Sequence, residues 1–519
     1  MSNYAYSQTR PSWLLNRSSG VLFHPTALPG QQGIGSLGSE AMRFVDFLES
    51  AGFSYWQTCP LGPTGFGDSP YQVFCSSAGN PYLIDWNPVL ESDLIGISDL
   101  NILKNLSDQR VDYGSLYNCF YHVARIAFSN FRSNSNALES MYGNFDKFKN
   151  RYSWLKSYGV FQALKLANNN DPWWLWNSKF KKSINLDDLN SDILDEVNFH
   201  FFLQYLFFGQ WLKLKEYANQ KGIFILGDLP IYAAPDSSDI WAHQNLFEIN
   251  HGNSVFENVA GVPPDYFNQD GQLWGNPLYN WNEHEKDGFS WWVDRLSTQI
   301  EIFDVVRIDH FRAFHDYWSI PSYLGNAKMG SWKSGPGIRF WNKINEFFPH
   351  RPFLAEDLGL ITDEVRLLRD QAGLPGMAVL QFAFDGDPEN LYLPHNLAQN
   401  LVLYLGTHDN DTVSGWYDNA DEEIRGNFRS YLNVSGEFPS WDLLRFAYRT
   451  ISPLVIVPVQ DLLGLGSEAR FNCPGEAIGN WQWRMSHSQL DSLFESSKYL
   501  FEQAKISGRT KNDSHEKGR

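Results

Sequence analysis

Eight short apolar runs, several of them closed by a polar or charged residue, constrain this chain more than any other feature. In order they are GVLFHP (20–25), YWQTCP (55–60), GIFILGD (222–228), FDVVRID (303–309), PFLAED (352–357), MAVLQFAF (377–384), LVLYLGTHD (401–409) and PLVIVPVQD (453–461). Each is continuous rather than alternating, the pattern of a strand covered on both faces, as strands of parallel sheets are. Helical patterns lie between most of them. SEAMRFVDFLESAG (39–52) spaces its apolar residues at helical intervals and closes on Gly. TDEVRLLRDQAG (362–373) opens on Thr as N-cap and ends on Gly at C′. Eight strands alternating with helices predict an α/β fold, a (β/α)8 barrel, with a doubly wound open sheet as the alternative.

Two connections are too long for ordinary strand-to-helix loops. Residues 61–221, between the second and third runs, carry helical patterns such as VNFHFFLQYLFFGQWLKLKEYANQ (197–220) and read as a mainly helical inserted subdomain. Residues 229–302, between the third and fourth, are rich in Gly, Pro, Asn and Trp and read as an inserted loop or subdomain that covers substrate. The barrel itself is expected over 12–500, and the polar segment 505–519 is expected to be a disordered tail.

Charge narrows the partners. With 41 basic against 59 acidic residues the net charge is −18, which argues against a nucleic-acid or membrane partner. No apolar run approaches the ~18 residues needed to span a bilayer. The N-terminus MSNYAYSQTRPSWLLN has no apolar signal region. The four cysteines (Cys59, Cys75, Cys119, Cys473) form no CxxC pair and no disulfide framework. A cytoplasmic location is expected. The 20 Trp, 24 Tyr and 38 Phe are read as a large core or, more sharply, as a sugar cleft, because aromatic faces stack on the C–H faces of pyranose rings.

Two motifs invite other chemistry. GIGSLG (33–38) matches G-x-G-x-x-G, but it stands eight residues past the end of the first run near His24, and the second run carries no acid for a ribose. It reads as a glycine-rich turn entering the first helix. His310, His315 and the His408–Asp409 pair raise a metal site, yet there is no HExxH and no dense His/Cys cluster, so no metal or other cofactor is expected.

The acids at the ends of the runs carry the strongest signal. Asp309 closes VVRID, Glu356 and Asp357 close FLAED, and Asp409 closes LYLGTHD. In a barrel those ends share one rim, the catalytic one. Gathering carboxylates there is costly unless chemistry or a partner uses them. Retaining glycoside chemistry needs such a set: an ionised nucleophile and a protonated acid about 5–5.5 Å apart. Residues i and i+2 of a strand share a face, so Arg307 lies one layer beneath Asp309 and favours its charged form, which suits a nucleophile. Beside that charge Glu356 keeps its proton, which suits a general acid that later acts as base. Asp409 is read as the third acid, gripping sugar hydroxyls in the transition state.

VVRIDHFRAF, FLAEDLG and YLGTHDNDT together resemble the nucleophile, acid/base and third-acid motifs of the α-amylase clan. CPLGPTGFGDSPYQVFCSSAGNPYLID (59–85), GDLPIYAAPDSSDIWA (227–242), GVPPDYFNQDGQLWGNPLYNW (261–281), GLPGMAVLQFAFDGD (373–387) and RFNCPGEAIGNWQWR (470–484) narrow the resemblance to the 4-α-glucanotransferase (amylomaltase) family, from about residue 12 to about 500. The resemblance implies no separate C-terminal β-sandwich domain, no cofactor, and α-1,4-glucans as partners. It further implies a double displacement in which Asp309 attacks the anomeric carbon, Glu356 protonates the leaving oxygen, and a glucan 4-hydroxyl takes the intermediate. Arg307, His310 and His408 match donor-site positions, Tyr71 a cleft aromatic, Trp274 an overhanging loop, and Asn472 a residue near the donor site. The acids alone do not separate transfer from hydrolysis, since water or sugar can capture the same intermediate. An α-glucan hydrolase with the same three acids therefore stays open, as does a non-catalytic glucan-binding barrel.

Overall fold

The computed structural model describes residues 10–250, 255–264, 269–476 and 478–510. All eight runs are strands of one parallel sheet: β1 Ser18–Leu22, β2 Tyr55–Gln57, β3 Phe224–Pro230, β4 Val305–Asp309, β5 Phe353–Ala355, β6 Gly376–Val379, β7 Leu401–Tyr404 and β8 Leu454–Pro458. Their spatial order is β5-β4-β3-β2-β1-β8-β7-β6. The register joins Ser18 to Leu454 across the β1–β8 seam and Phe353 to Val306 across β5–β4. At the last seam, between β5 and β6, the Ala355 N–H donates to the Pro375 carbonyl at 2.9 Å, so the sheet is a nearly closed barrel. The sixth run is shorter as a strand than it reads, because the chain turns into a 3-10 helix at Leu380–Phe382.

Side-chain parity divides each strand between two cores. Leu22, Tyr55, Leu226, Val305, Leu354, Met377, Val402, Tyr404, Leu454 and Ile456 form one buried cluster, the barrel interior, joined by Leu14. Their neighbours Val21, Ile225, Val306, Ile308, Phe353, Ala355, Leu403 and Val455 belong to the second, between strands and helices. Both faces of every strand are thus covered, as continuous apolar runs require. The 3-10 turn Ser12–Leu14 seals the N-terminal mouth, with Trp13 accepting from the Tyr55 hydroxyl at 2.8 Å. Helix Ser39–Ser50 buries Ala41, Phe44, Val45, Phe47 and Leu48 on one stripe. Helix Asp363–Ala372 ends on Gly373 in the left-handed region (φ 71°), as a glycine stop should. Thr362 holds the N-cap position of this helix without accepting a side-chain cap hydrogen bond.

Between β2 and β3 the chain is mostly helical, ending in the long helix Ser191–Gln220. The block Phe199–Phe208 of this helix is buried at every position, which only a helix covered on all sides can sustain. The Gln204 amide bonds both the N–H and the C=O of Gly79, and the Gln210 amide does the same at Asp85. A Cβ on Gly79 would stand 1.9 Å from the Phe207 ring. The helix therefore clamps the segment that leads away from Tyr71.

The 229–302 connection is not a simple loop. Strands Asn258–Val262 and Gln272–Pro277 form a hairpin that pairs with Asp316–Pro321, which in turn pairs with Ser331–Ser334. The last two lie beyond β4, so this antiparallel sheet is assembled from both sides of β4, a pairing between segments that are distant in sequence. No strand follows β8 among the described residues. The expected tail at 505–519 starts too early. Helix His487–Ile506 runs through its first two residues, and Arg509 is fully buried, donating to the carbonyls of Tyr448, Ser18 and Ser452 near 3 Å. Residues 511–519 lie outside the described residues. Among the described residues no helix is long and apolar enough to cross a membrane.

Candidate active site

Arg307 organises the open end of the barrel. The parity of β4 turns its side chain inward above Val305, and the guanidinium is buried there. Nη1 lies 2.8 and 2.7 Å from the two oxygens of Asp228 on β3 and 2.9 Å from Oδ1 of Asp309 at the top of β4. Nε rests 3.4 Å from the Met377 sulfur. One cation thus ties two carboxylates into a buried cluster, with Asp309 standing one layer up as its spacing predicts. Although burial alone would favour the neutral base, Asp228 and Asp309 hold the Arg307 guanidinium strongly in its charged form.

A second chain of contacts leads across the cleft. The Tyr71 hydroxyl donates to Asp228 Oδ2 at 2.8 Å and lies 3.3 Å from His408 Nδ1. The two rings stack, 4.9 Å apart and 19° from parallel. His408 Nε2 lies 3.2 Å from Asp409 Oδ2, and Asn472 Nδ2 donates to Asp409 Oδ1 at 2.6 Å. Burial opposes charge on His408, yet the Asp409 carboxylate holds its pKa above the ordinary value. Burial likewise opposes the Asp409 charge, but His408, Asn472 and Arg307 together keep this carboxyl well below the usual range.

Glu356 follows β5 and is held by backbone alone. Its Oε2 accepts from the His310 N–H at 2.7 Å and its Oε1 from the Leu358 N–H at 2.8 Å. His310 is left-handed (φ 53°), a strained conformation for a residue other than Gly or Asn, and that turn aims its amide at the acid. Burial is the main reason that Glu356 rises to about 7; Arg307 offsets part of the shift and the Asp309 charge adds to it. The sequence reading rests on the like charge, whereas the structure gives desolvation the larger share. The Trp274 indole packs edge-to-face on the His310 ring at 4.8 Å, so the hairpin 258–277 reaches the cleft. Burial pushes His310 down to about 4, leaving it neutral near pH 7.

All nine residues singled out in the sequence therefore lie in these linked contacts at one rim: Tyr71, Trp274, Arg307, Asp309, His310, Glu356, His408, Asp409 and Asn472. Asp357 faces elsewhere. It accepts from Arg369 Nη1 at 2.5 Å and from the Met377 N–H at 2.8 Å, a structural pairing. Three participants escape the sequence reading. Asp228 closes a run just as the other acids do, and that signal was available in GIFILGD. Trp481, 5.8 Å from the His408 ring and 5.9 Å from Tyr71, and Arg470, whose Nη2 donates to the Asp409 carbonyl at 2.5 Å, have no local signal.

The glycines of GIGSLG serve close packing. A Cβ on Gly35 would meet the Pro25 carbonyl at 2.0 Å, and one on Gly38 the Asp85 carboxylate at 2.4 Å, so protein fills the space a phosphate would need. His315 keeps to its neighbour Asp316 at 3.5 Å. Among the described residues no three His, Cys, Asp or Glu side chains gather as a metal site.

A (β/α)8 barrel carrying three acids, one of them poised near 7, with a cation behind the first, has the working end of an enzyme that breaks glycosidic bonds. The sequence comparisons specify which. The family model for 4-α-glucanotransferase, glycoside hydrolase family 77, matches residues 23–490. The 4-α-glucanotransferase of Thermus thermophilus is 46% identical over 487 residues, covering 92% of this chain and 96% of that protein. That of Synechocystis is 43% identical over 481 residues, covering 92% and 95%. The amylomaltase from Streptococcus agalactiae, solved in complex with acarbose, superposes with a TM-score of 0.90 at 37% identity, covering 95% of this chain and all of that one. The chain belongs to the 4-α-glucanotransferase family.

Proposed function

We propose that this enzyme moves an α-1,4-glucan segment from one chain to the 4-hydroxyl of another glucan or of glucose, with Asp309 as nucleophile, Glu356 as acid/base and Asp409 as transition-state stabiliser. The observation that carries the assignment is the contrast between the two acids of the cleft: Asp309 stands against Arg307, while Glu356 is desolvated to about 7. Arg307 engages Oδ1 of Asp309 and leaves Oδ2 for the anomeric carbon. As that bond forms, the glycosidic C1–O4 bond breaks and O4 takes the Glu356 proton. An acceptor 4-hydroxyl then gives its proton to Glu356 while its oxygen attacks C1 and releases Asp309. Two inversions retain the α configuration. Asp409, fixed by His408 and Asn472, offers negative charge to the sugar hydroxyls and to the positive transition state.

Arg307, His310, His408 and Asn472 orient the donor sugar or the acids, and Tyr71 gives it an aromatic wall. Trp274, anchored on His310, covers the acceptor side, where excluding water favours a sugar hydroxyl over hydrolysis. The −18 charge supports glucans rather than nucleic acid as partners, and the four free cysteines support a cytoplasmic location. The test is a metal-free incubation with maltotriose that follows glucose, longer oligomers and total reducing ends together. Transfer yields glucose and longer glucans at constant reducing ends. A rise of reducing ends in step with glucose would make water the acceptor and the enzyme a hydrolase.

A further inference from the structure

A second cavity, of about 270 Å³, opens on the flank of the barrel, away from the three acids. It lies between helix Ser153–Ala167, helix Ser238–Ala242 and the start of helix Ser290–Ile302. This is many times the ~10–15 Å³ that admits one water molecule. Two half-buried indoles, Trp154 and Trp291, stand in its wall. Its floor holds Asp239 and Arg295, 8% and 3% exposed.

The lining selects its ligand. Arg295 is the cation of the cavity, and each of its three nitrogens already donates to protein: Nη2 to the Pro230 carbonyl at 2.7 Å, Nη1 to the Ile231 carbonyl at 2.9 Å, and Nε to the Ser76 hydroxyl at 3.1 Å. Asp239, Asp287 and Asp294 also line the space, so an anion meets net negative charge with no free guanidinium to bind it. Asp239 accepts from the Ser76 N–H through Oδ2 at 2.8 Å, and a carboxylate keeps further lone pairs to accept from a hydroxyl. Ser153 and Ser157 add small groups that both donate and accept, while the Ser290 hydroxyl donates to Asp287 at 2.9 Å and keeps only its lone pairs for a ligand. Flat aromatic faces beside carboxylate and hydroxyl acceptors suit a neutral pyranose ring.

We infer that this cavity is a second, non-catalytic binding site for a hexose unit of an α-glucan. It stands on its own lining and not on the roles given to the cleft acids. Arg295 also links it to the cleft, since the carbonyls it holds, Pro230 and Ile231, follow Asp228 on β3.

The experiment uses the full chain carrying Glu356→Gln, so that maltose is bound without being consumed, and counts maltose-binding events by calorimetry. Two events are expected. Adding Ser157→Trp, which fills the cavity from one wall, should weaken one event at least tenfold and leave the other unchanged. Ser290→Trp, from the opposite wall, should do the same, and retained cleft binding reports that each variant is folded. A single event in the parent, or two events that survive both fillings, overturns the assignment. So does a second event seen with calcium chloride alone and not with maltose, which would make the carboxylates a cation site. Residual transfer by the Glu356→Gln enzyme would break the catalytic reading and leave this one standing.

Discussion

Between Val305 and Asp309 the inward face of β4 passes from an interior of Leu, Val, Met and Tyr to a cluster of charges, to which β3 and the residues just after β5 and β7 also contribute. At the N-terminal mouth Leu14 plugs an apolar cylinder. At the C-terminal mouth Asp228, Arg307, Asp309, Glu356, His408 and Asp409 stand together. The lower half follows the rule that apolar area leaves water. The upper half breaks that rule and survives by pairing: one guanidinium serves two carboxylates, one imidazole serves a third, and two backbone amides hold Glu356. Glu356 is the acid with no cation in contact, and it is the one whose proton affinity moves to where a general acid needs it.

The largest effects should come from the upper half. Asp309→Asn and Glu356→Gln should each lower transfer from maltotriose on the order of 10⁴-fold, with little change in Tm. Activity within tenfold of the parent would end the role assignment. Next, Asp228→Ala and Leu354→Ala pit the two halves against each other at similar stability cost. Removing Asp228 leaves Arg307 with one partner fewer, and breaking such a buried pair costs about 3–5 kcal/mol. Leu354→Ala opens a cavity worth about 2–5 kcal/mol. Denaturant unfolding should show comparable losses, but only the Asp228 variant should lose kcat per folded molecule, because only there does the cation behind Asp309 shift.

The pH dependence sharpens the comparison. With Glu356 at about 7, kcat/KM should fall about tenfold per pH unit above that value, since the proton for the leaving oxygen is gone. The same group acts on stability with a definite sign. Its folded pKa lies above its ordinary value of 4.5, so the folded state binds more protons between those two values, and this contribution to stability is lost as pH rises from 4.5 to about 7. Asp409 acts oppositely: its depressed pKa contributes stability above the ordinary carboxylate range that is lost as pH falls below it. The smallest effect belongs to Trp274→Ala. Losing an edge-to-face aromatic contact of about 0.5–1.5 kcal/mol should raise KM for acceptor about two- to tenfold and raise the share of hydrolysis, read as reducing ends released per glucose.

Much of the catalytic rim was legible because strands write their geometry into sequence. A run ending in an acid marks a carboxylate at the rim, and the i, i+2 rule puts Arg307 beneath Asp309. The same rule reaches Asp228, which closes its run in the same way. It does not separate Glu356 from Asp357, because adjacent residues of a strand face opposite sides and the sequence does not say which side is the cleft. The partners settle that: Arg369 and the Met377 amide take Asp357, while His310 and Leu358 take Glu356. Trp481 and Arg470 stand in the motif RFNCPGEAIGNWQWR (470–484), but no periodic pattern gives their contacts, since they reach His408 and Asp409 across more than sixty residues. The antiparallel sheet joining 258–277 to 316–334 was missed for the same reason, and Arg509 was taken for tail because a charged residue buried on carbonyls looks like a solvated one.

What the sequence by itself determined is local and periodic: eight doubly covered strands, the helices between them, and the three acids at one end. These follow from backbone pleat and apolar patterning, which act over a few residues. What only the tertiary structure decided is convergence. It set which carboxylate meets Arg307, which nitrogen of His408 faces Asp409, how far desolvation lifts Glu356, and where two tryptophans enclose a second cavity. Those outcomes depend on distances and dielectric between segments far apart in the chain, and only the assembled barrel fixes both.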